Sequence, residues 1–169
     1  MNIEDFNQLF LQTAFCCMAC DGEIAPEEVE LIKSICKQTL SLQNIDFDVK
    51  INIFVTDINA DSQQFLTEFI KTLKNRVPEL TEQEEFELID VAIKVIKADN
   101  RIEYSEIKFF KTIRYCLKVS DDTIMAHFSD SIEDIDIFLG EDIHPVMKLE
   151  DITQQYFNVI KFDELKILG

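Results

Sequence analysis

The chain has 169 residues, of which 33 are acidic and 16 basic, so its formal net charge is −17, and 47 % of its residues are hydrophobic. Such a negative surface repels phosphate backbones, so nucleic acid is not an expected partner, whereas cations and basic protein surfaces are compatible with it. The acidity can also serve only to keep the domain soluble. With three glycines and three prolines, the composition predicts long helices joined by short turns.

The first ten residues, MNIEDFNQLF, carry acids and no basic segment, so a signal peptide is not expected. No uninterrupted apolar run approaches the roughly 18 residues that a membrane-spanning helix needs. The five cysteines form an odd set in a chain without an export signal, and we expect them to be reduced thiols. These features predict a cytoplasmic protein.

Seven helices are predicted from apolar residues that recur at helical spacing. Pro26 suits the first turn of the second helix, and Thr81 and Glu84 form a capping box at the start of the fifth. The third predicted helix also alternates like a strand between Ile45 and Val55, but no partner strand is near, so a helix is favoured. The predicted spans are about 3–20, 26–39, 40–60, 61–77 and 82–98, then a helix that ends near 118 and a shorter one over 121–128.

After Ser129 the character of the chain changes. Residues 130–142 contain six acids and no basic residue, interleaved with apolar side chains. This segment could pack on the bundle, pair between subunits or recognise a partner, and the sequence leaves these alternatives open. We therefore divide the chain into a helical domain, 1–129, with repeat halves of about 1–60 and 61–129, and a C-terminal acidic and apolar extension, 130–169.

One short motif occurs twice and indicates an internal duplication. The sequence DGEI at 21–24 is followed by Glu28, and 78 residues later DNRI at 99–102 is followed by Glu106. The surrounding windows align without a gap, and most of their apolar positions stay apolar. The aligned windows are 14–36 and 92–114.

The repeated motif predicts two acidic helix corners with a carboxylate on each side of a sharp turn. Asp21 and Glu28 belong to the first corner, and Asp99 and Glu106 to the second. Carboxylate oxygens arranged in this way could hold a hard divalent cation of the Ca²⁺ or Mg²⁺ type. A complete EF-hand is excluded, because two further ligand positions of that loop would fall on Cys17 and on an alanine.

A purely structural role explains part of the same pattern. Glu28 and Glu106 would each compensate the positive end of the helix they open. Asp21 and Asp99 would instead lie at the unfavourable negative end of a helix, although each could accept amide groups of its own turn. The recurrence of this unfavourable residue favours a cation.

No catalytic motif is present. The three glycines, Gly22, Gly140 and Gly169, are too far apart for a phosphate-binding loop. Cys16, Cys17 and Cys20 superficially resemble a thiolate metal site, but no second cysteine pair or histidine lies at matching spacing, so we expect them to pack in the core. His127 is expected on a helix surface, and the chain is not expected to be an enzyme.

The paired corners resemble the TerB-like tellurite-resistance family, in which a helix ends in a small residue plus Asp-Gly and x-Ile-x-x-x-Glu opens the next. The resemblance covers about residues 9–118. It implies an all-helical fold that arose by duplication, an acidic patch proposed to bind metal ions, and a role in tellurite resistance and broader stress responses. The matching positions are Asp21, Glu28, Asp99 and Glu106.

The second corner departs from the family pattern. Asn100 and Arg101 replace the usual glycine and its follower. Asparagine tolerates a left-handed turn, so the geometry is expected to survive. The charge of Arg101 could occupy the acidic patch in place of a metal.

We therefore predict an all-α helical bundle with an internal duplication, acting as a TerB-like stress-response module that binds a divalent cation at the paired corners. The alternative is a non-enzymatic protein-interaction adaptor whose acidic surface and C-terminal extension bind a basic partner. Hydrolysis at a metal–carboxylate centre ranks last, because no general base stands out beyond the ligands.

Overall fold

Helices account for nearly all of the regular structure in this computed structural model, which describes residues 2–20, 24–98, 100, 102 and 104–139, the side chains of 104 and 105 excepted. This part of the chain contains eight α-helices, two short 3₁₀ turns over Leu40–Leu42 and Val77–Glu79, and no strand. The helices are α1 Ile3–Ala19, α2 Pro26–Gln38, α3 Phe47–Ala60, α4 Ser62–Arg76, α5 Glu82–Lys97, α6 Tyr104–Cys116, α7 Asp121–Phe128 and α8 Ile135–Leu139.

The all-α prediction is confirmed, and each of the seven predicted helices corresponds to one of α1–α7. The third begins later than predicted, at Phe47, because the Asp46 side chain accepts the Val49 amide at 3.2 Å and caps the helix there. The predicted capping box is present, since the Thr81 hydroxyl accepts the Glu84 amide at 3.1 Å and the Glu84 carboxylate accepts the Thr81 amide at 2.9 Å. The eighth helix, α8, was not predicted.

Helix α1 lies at the centre of the bundle. It packs most extensively against α5 and also touches α3, α4 and α6. Its Phe15 is fully buried, with ring centroids 5.3 Å from Phe54 on α3 and 5.7 Å from Phe65 on α4. A helix that is apolar on nearly every side is stable only when it is enclosed in this way.

The cysteines of α1 form part of this core. Cys16, Cys17 and Cys20 are fully buried, and none of the five cysteines takes part in a disulfide. Burial raises the pKa of the Cys16 thiol far above its ordinary value, so that thiol stays neutral. The prediction that these residues serve packing is confirmed.

The first residues of the C-terminal extension pack onto the bundle. The Phe138 ring lies edge-on to Phe110 of α6, with centroids 5.2 Å apart, and Ile132 and Ile135 are also buried. The Lys97 ammonium contacts the Asp134 carboxylate at 2.6 Å. Of the predicted alternatives, packing on the bundle therefore holds for 132–139. Residues 140–169 lie outside the described part, and the domain division at 129 stays a prediction.

Among the described residues, no helix combines the length and the apolar character that crossing a membrane requires.

Candidate functional site

The structure describes two of the four predicted ligands. Glu28 and Glu106 are the third residues of α2 and α6, and each side chain is 4 % exposed. Their equivalent helix positions agree with the aligned windows of the sequence. Asp21 and Asp99 lie outside the described residues, so their place in the predicted site stays a prediction.

Glu28 has a local structural role at the start of α2. Its Oε1 accepts the backbone amide of Ala25 at 2.8 Å, while Pro26 occupies the first helical position. This is one half of a capping box, and it satisfies a donor that the helix itself cannot satisfy. Glu28 therefore has a structural role at the start of its helix, as the sequence analysis considered.

The two glutamates act on the same buried sulfur atom. The pKa of the Cys17 thiol is raised first by burial, then by Cys16, and further by the negative charges of Glu106 and Glu28. Charge interactions weaken with distance, so carboxylates from α2 and from α6 both lie within electrostatic range of one position on α1. The described acids of both corners therefore both contribute to the raised pKa of one residue on α1.

The second corner contains a left-handed residue. Asn100 has φ 60°, and it is the one non-glycine residue with positive φ in the described part of the chain. Asparagine takes this conformation more easily than most residues. Asn100 therefore takes the left-handed conformation that the sequence analysis allowed for it, whereas Arg101 lies outside the described residues.

A buried lysine was missed in the search for candidate residues. Lys111 on α6 is only 1 % exposed. A buried ammonium group is costly unless negative charges or hydrogen-bond acceptors compensate it. The sequence contained a signal, because Lys111 lies four residues after the apolar Ile107, at the helical spacing of buried residues.

Glu85 on α5 is a second buried charge that the sequence analysis missed. It is 1 % exposed, and its Oε1 accepts the backbone amides of Lys118 at 2.6 Å and Val119 at 3.4 Å. The Lys118 ammonium lies 3.7 Å from its Oε2 and donates to the Leu80 carbonyl at 2.6 Å. These contacts tie the start of α5 to the turn after α6, so Glu85 has a structural role.

His127 matches its expected position on a helix surface. It is exposed on α7 and stacks on the ring of Phe86, with centroids 3.9 Å apart and planes 14° from parallel. Within the described residues, no group of three or more histidine, cysteine, aspartate or glutamate side chains is arranged to hold a metal ion.

Comparison with known proteins gives one match. The family model described as "Tellurite resistance protein TerB" matches residues 11–127, which is more than half of the chain and includes both acidic corners. Neither the curated proteins nor the solved structures searched contain a match.

Proposed function

The chain belongs to the TerB tellurite-resistance family, and from this premise we propose that it is a non-enzymatic stress-response module that binds a divalent cation. The proposed ligands are the carboxylates of Asp21, Glu28, Asp99 and Glu106. The expected ion is of the Ca²⁺ or Mg²⁺ type, because hard cations prefer oxygen ligands.

The observation that supports this proposal most directly is the burial of Glu28 and Glu106, each 4 % exposed and each the third residue of the helix that follows a corner. Buried carboxylates are costly unless hydrogen bonds or positive charges compensate them. The sequence adds one aspartate to each corner. If each of the four carboxylates binds through one oxygen, they supply fewer than the six to eight oxygens that Ca²⁺ takes, so we expect water to complete its shell.

Thermal unfolding of metal-stripped protein tests the proposal. A cation present at about 100 times its dissociation constant stabilises the folded state by about 2.7 kcal/mol. For a chain of this size, that corresponds to a rise in Tm of about 5–11 °C. We expect this rise with Ca²⁺ or Mg²⁺ in the wild type and its loss in Asp21→Asn/Asp99→Asn.

The matched control is Glu27→Gln/Glu30→Gln, which removes two exposed acids from α2 and should keep the full shift. If the control variant lost the rise in Tm equally, the cation would be attracted only by the net charge of the protein. No shift in the wild type, with the aspartate variant at least as stable, would contradict cation binding.

The proposed role in the stress response needs a separate measurement. We expect expression of the wild type to improve the growth of a tellurite-sensitive bacterial host on tellurite. Asp21→Asn/Asp99→Asn should lose this benefit, while Glu27→Gln/Glu30→Gln should keep it. A benefit that survives in the aspartate variant would separate tellurite resistance from the corners.

A further inference from the structure

A groove far from the corners combines an apolar floor with an acidic edge. It has a volume of about 480 Å³ and lies between the first turns of α1, the end of α2 with the following 3₁₀ turn, and α5. We call it the α5 groove and define it by its floor residues Ile3, Phe6, Phe10 and Val91 and its edge residues Glu84 and Glu87.

The floor of the α5 groove offers apolar surface to a partner. Phe6 and Phe10 are buried beneath it, whereas Ile3 is 57 % exposed at one end. Leu40, which lies between the lining residues Thr39 and Ser41, is 82 % exposed. Single exposed apolar side chains are ordinary, but exposed apolar side chains at and beside a groove are typical of an interaction site.

The edge carries negative charge along one side of α5. Glu84, Glu87, Asp90 and Lys94 all line the groove, and Lys94 contacts Asp90 at 2.8 Å. Lys94 offsets Asp90, which leaves Glu84 and Glu87 as the net charge of the edge. The pKa of Glu87 is raised by its partial burial and by the charges of Glu84 and Asp90, so a cation placed here would relieve an existing repulsion.

We propose that the α5 groove binds a basic amphipathic helix of another protein. The apolar side chains of that helix would cover the floor, and its lysines or arginines would face Glu84 and Glu87. From Glu84 to Lys94 the groove extends about 15 Å along α5, which matches about three turns of a bound helix. Recognition of a helix in a groove uses this pairing of apolar anchors with charged edges.

Charge makes the other occupants less suitable. A second copy of the chain would bring together two molecules of net charge −17. The chain's own segment 141–169 contains six acids and three lysines, so it too would meet like charge at the edge. A basic partner is the one whose charge complements the groove.

Fluorescence anisotropy with a labelled synthetic peptide tests the proposal on the full chain. The probe contains only leucine and lysine at helical spacing and is about 15 residues long, enough to form a helix when bound. One control peptide has the same composition in an order without helical spacing, and another has glutamate in place of lysine. We expect at least tenfold tighter binding of the helical basic peptide than of either control.

Glu84→Gln/Glu87→Gln is the decisive variant, because a glutamine can still complete the capping box with Thr81 and only the charge is lost. We expect it to weaken peptide binding about tenfold. The matched control is Asp57→Asn/Glu68→Gln, which removes two charges from another groove, of about 420 Å³ and lined also by Ile53 and Phe54. This control should change the affinity less than twofold.

Three outcomes would overturn the proposal. Equal loss in both double variants would mean that the peptide responds to net charge, and equal binding of the unordered peptide would mean that the groove recognises no helix. Displacement of the probe by a synthetic peptide of residues 146–168 would assign the groove to the chain's own extension. Asp21→Asn/Asp99→Asn and a chelator should leave peptide binding unchanged, so this test is independent of the cation proposal.

Discussion

The acidic corners and the α5 groove both concentrate carboxylates, but they differ in what surrounds those carboxylates. Glu28 and Glu106 are each 4 % exposed and act on a thiol inside the core. Glu84 and Glu87 are partly or largely exposed beside an apolar floor. A buried carboxylate can be compensated by an ion or by a side chain of the same protein, whereas an exposed one is accessible to another macromolecule.

This comparison explains why a net charge of −17 does not by itself indicate a function. The same residue type serves as a helix cap at Glu28, as a tie between segments at Glu85 and as an edge charge at Glu87. Burial and the nearest hydrogen-bond donors decide which role each carboxylate takes. Changes at single residues should therefore have very different consequences in the two regions.

The largest expected effect comes from Lys111, the buried ammonium on α6. Lys111→Met keeps most of the apolar stem but removes the positive charge, so any negative charge that it compensates becomes unbalanced. We expect a loss of about 3–5 kcal/mol in the free energy of unfolding of the metal-free protein. Chemical denaturation measures this loss, with the exposed Lys37→Met of α2 as a control that should change little.

Lys111→Met also tests whether the corners and the groove bind their ligands independently. If Lys111 competes with a cation at the corners, Lys111→Met should bind Ca²⁺ about tenfold more tightly than the wild type in calorimetry. Binding of the basic peptide to the α5 groove should not change. An unchanged affinity for Ca²⁺ would show that Lys111 and the ion do not share compensating charges.

Glu85 should give the next largest effect. It is adjacent to the edge residue Glu84 in the sequence, but its side chain is buried. Glu85→Ala removes the acceptor of two backbone amides and leaves Lys118 without its buried partner. We expect a loss of about 3 kcal/mol, or a fall in Tm of about 6–12 °C. Differential scanning calorimetry measures the fall.

Glu87→Ala is the matched control for Glu85→Ala, since the exposed Glu87 lies two positions away on α5. It should change the free energy of unfolding by no more than about 0.5 kcal/mol. Equal effects at the two positions would contradict the argument that burial separates their roles.

Local features of this chain could be predicted from the sequence because their partners are close in the sequence. The Thr81–Glu84 capping box requires residues three apart, and Asn100 could be identified as a substitute for glycine from its position in the repeated turn. The burial of Cys16 and Cys17 follows from their place in a helix that is apolar on nearly every side. In each case the decisive contact is local or follows from periodicity.

Features that depend on distant contacts were missed or left open. Glu85 is buried only because the chain returns 33 residues later to present the Lys118 amide. The five-residue helix α8 is too short for a periodic signal and depends on Phe138 packing against Phe110. The influence of Glu28 and Glu106 on the pKa of one thiol depends on how the helices are placed in space, which spacing along the chain does not determine.

The smallest expected effect concerns the pH dependence of Glu87. Its pKa is raised in the folded protein, by burial first and then by Glu84 and Asp90, so the folded state binds a proton more readily than the unfolded state does. Ionisation of Glu87 therefore costs stability at neutral pH, and this cost disappears as the pH falls below the ordinary glutamate value of 4.5. Because the side chain is largely exposed, we expect Glu87→Gln to stabilise the protein by at most about 0.5 kcal/mol at pH 7.

The stabilisation by Glu87→Gln should vanish near pH 3.5, about one unit below that value, when chemical denaturation is repeated there. The affinity for the basic peptide should change in the opposite direction. Glu87→Gln removes an edge charge, so the variant should bind the peptide more weakly than the wild type at pH 7. A substitution that stabilises the protein but weakens binding of its partner is expected at a residue whose role is binding. The opposite result would be that Glu87→Gln lowers the free energy of unfolding at pH 7. In that case another group of the protein would already compensate the charge of Glu87, and the groove would offer a basic helix no favourable charge.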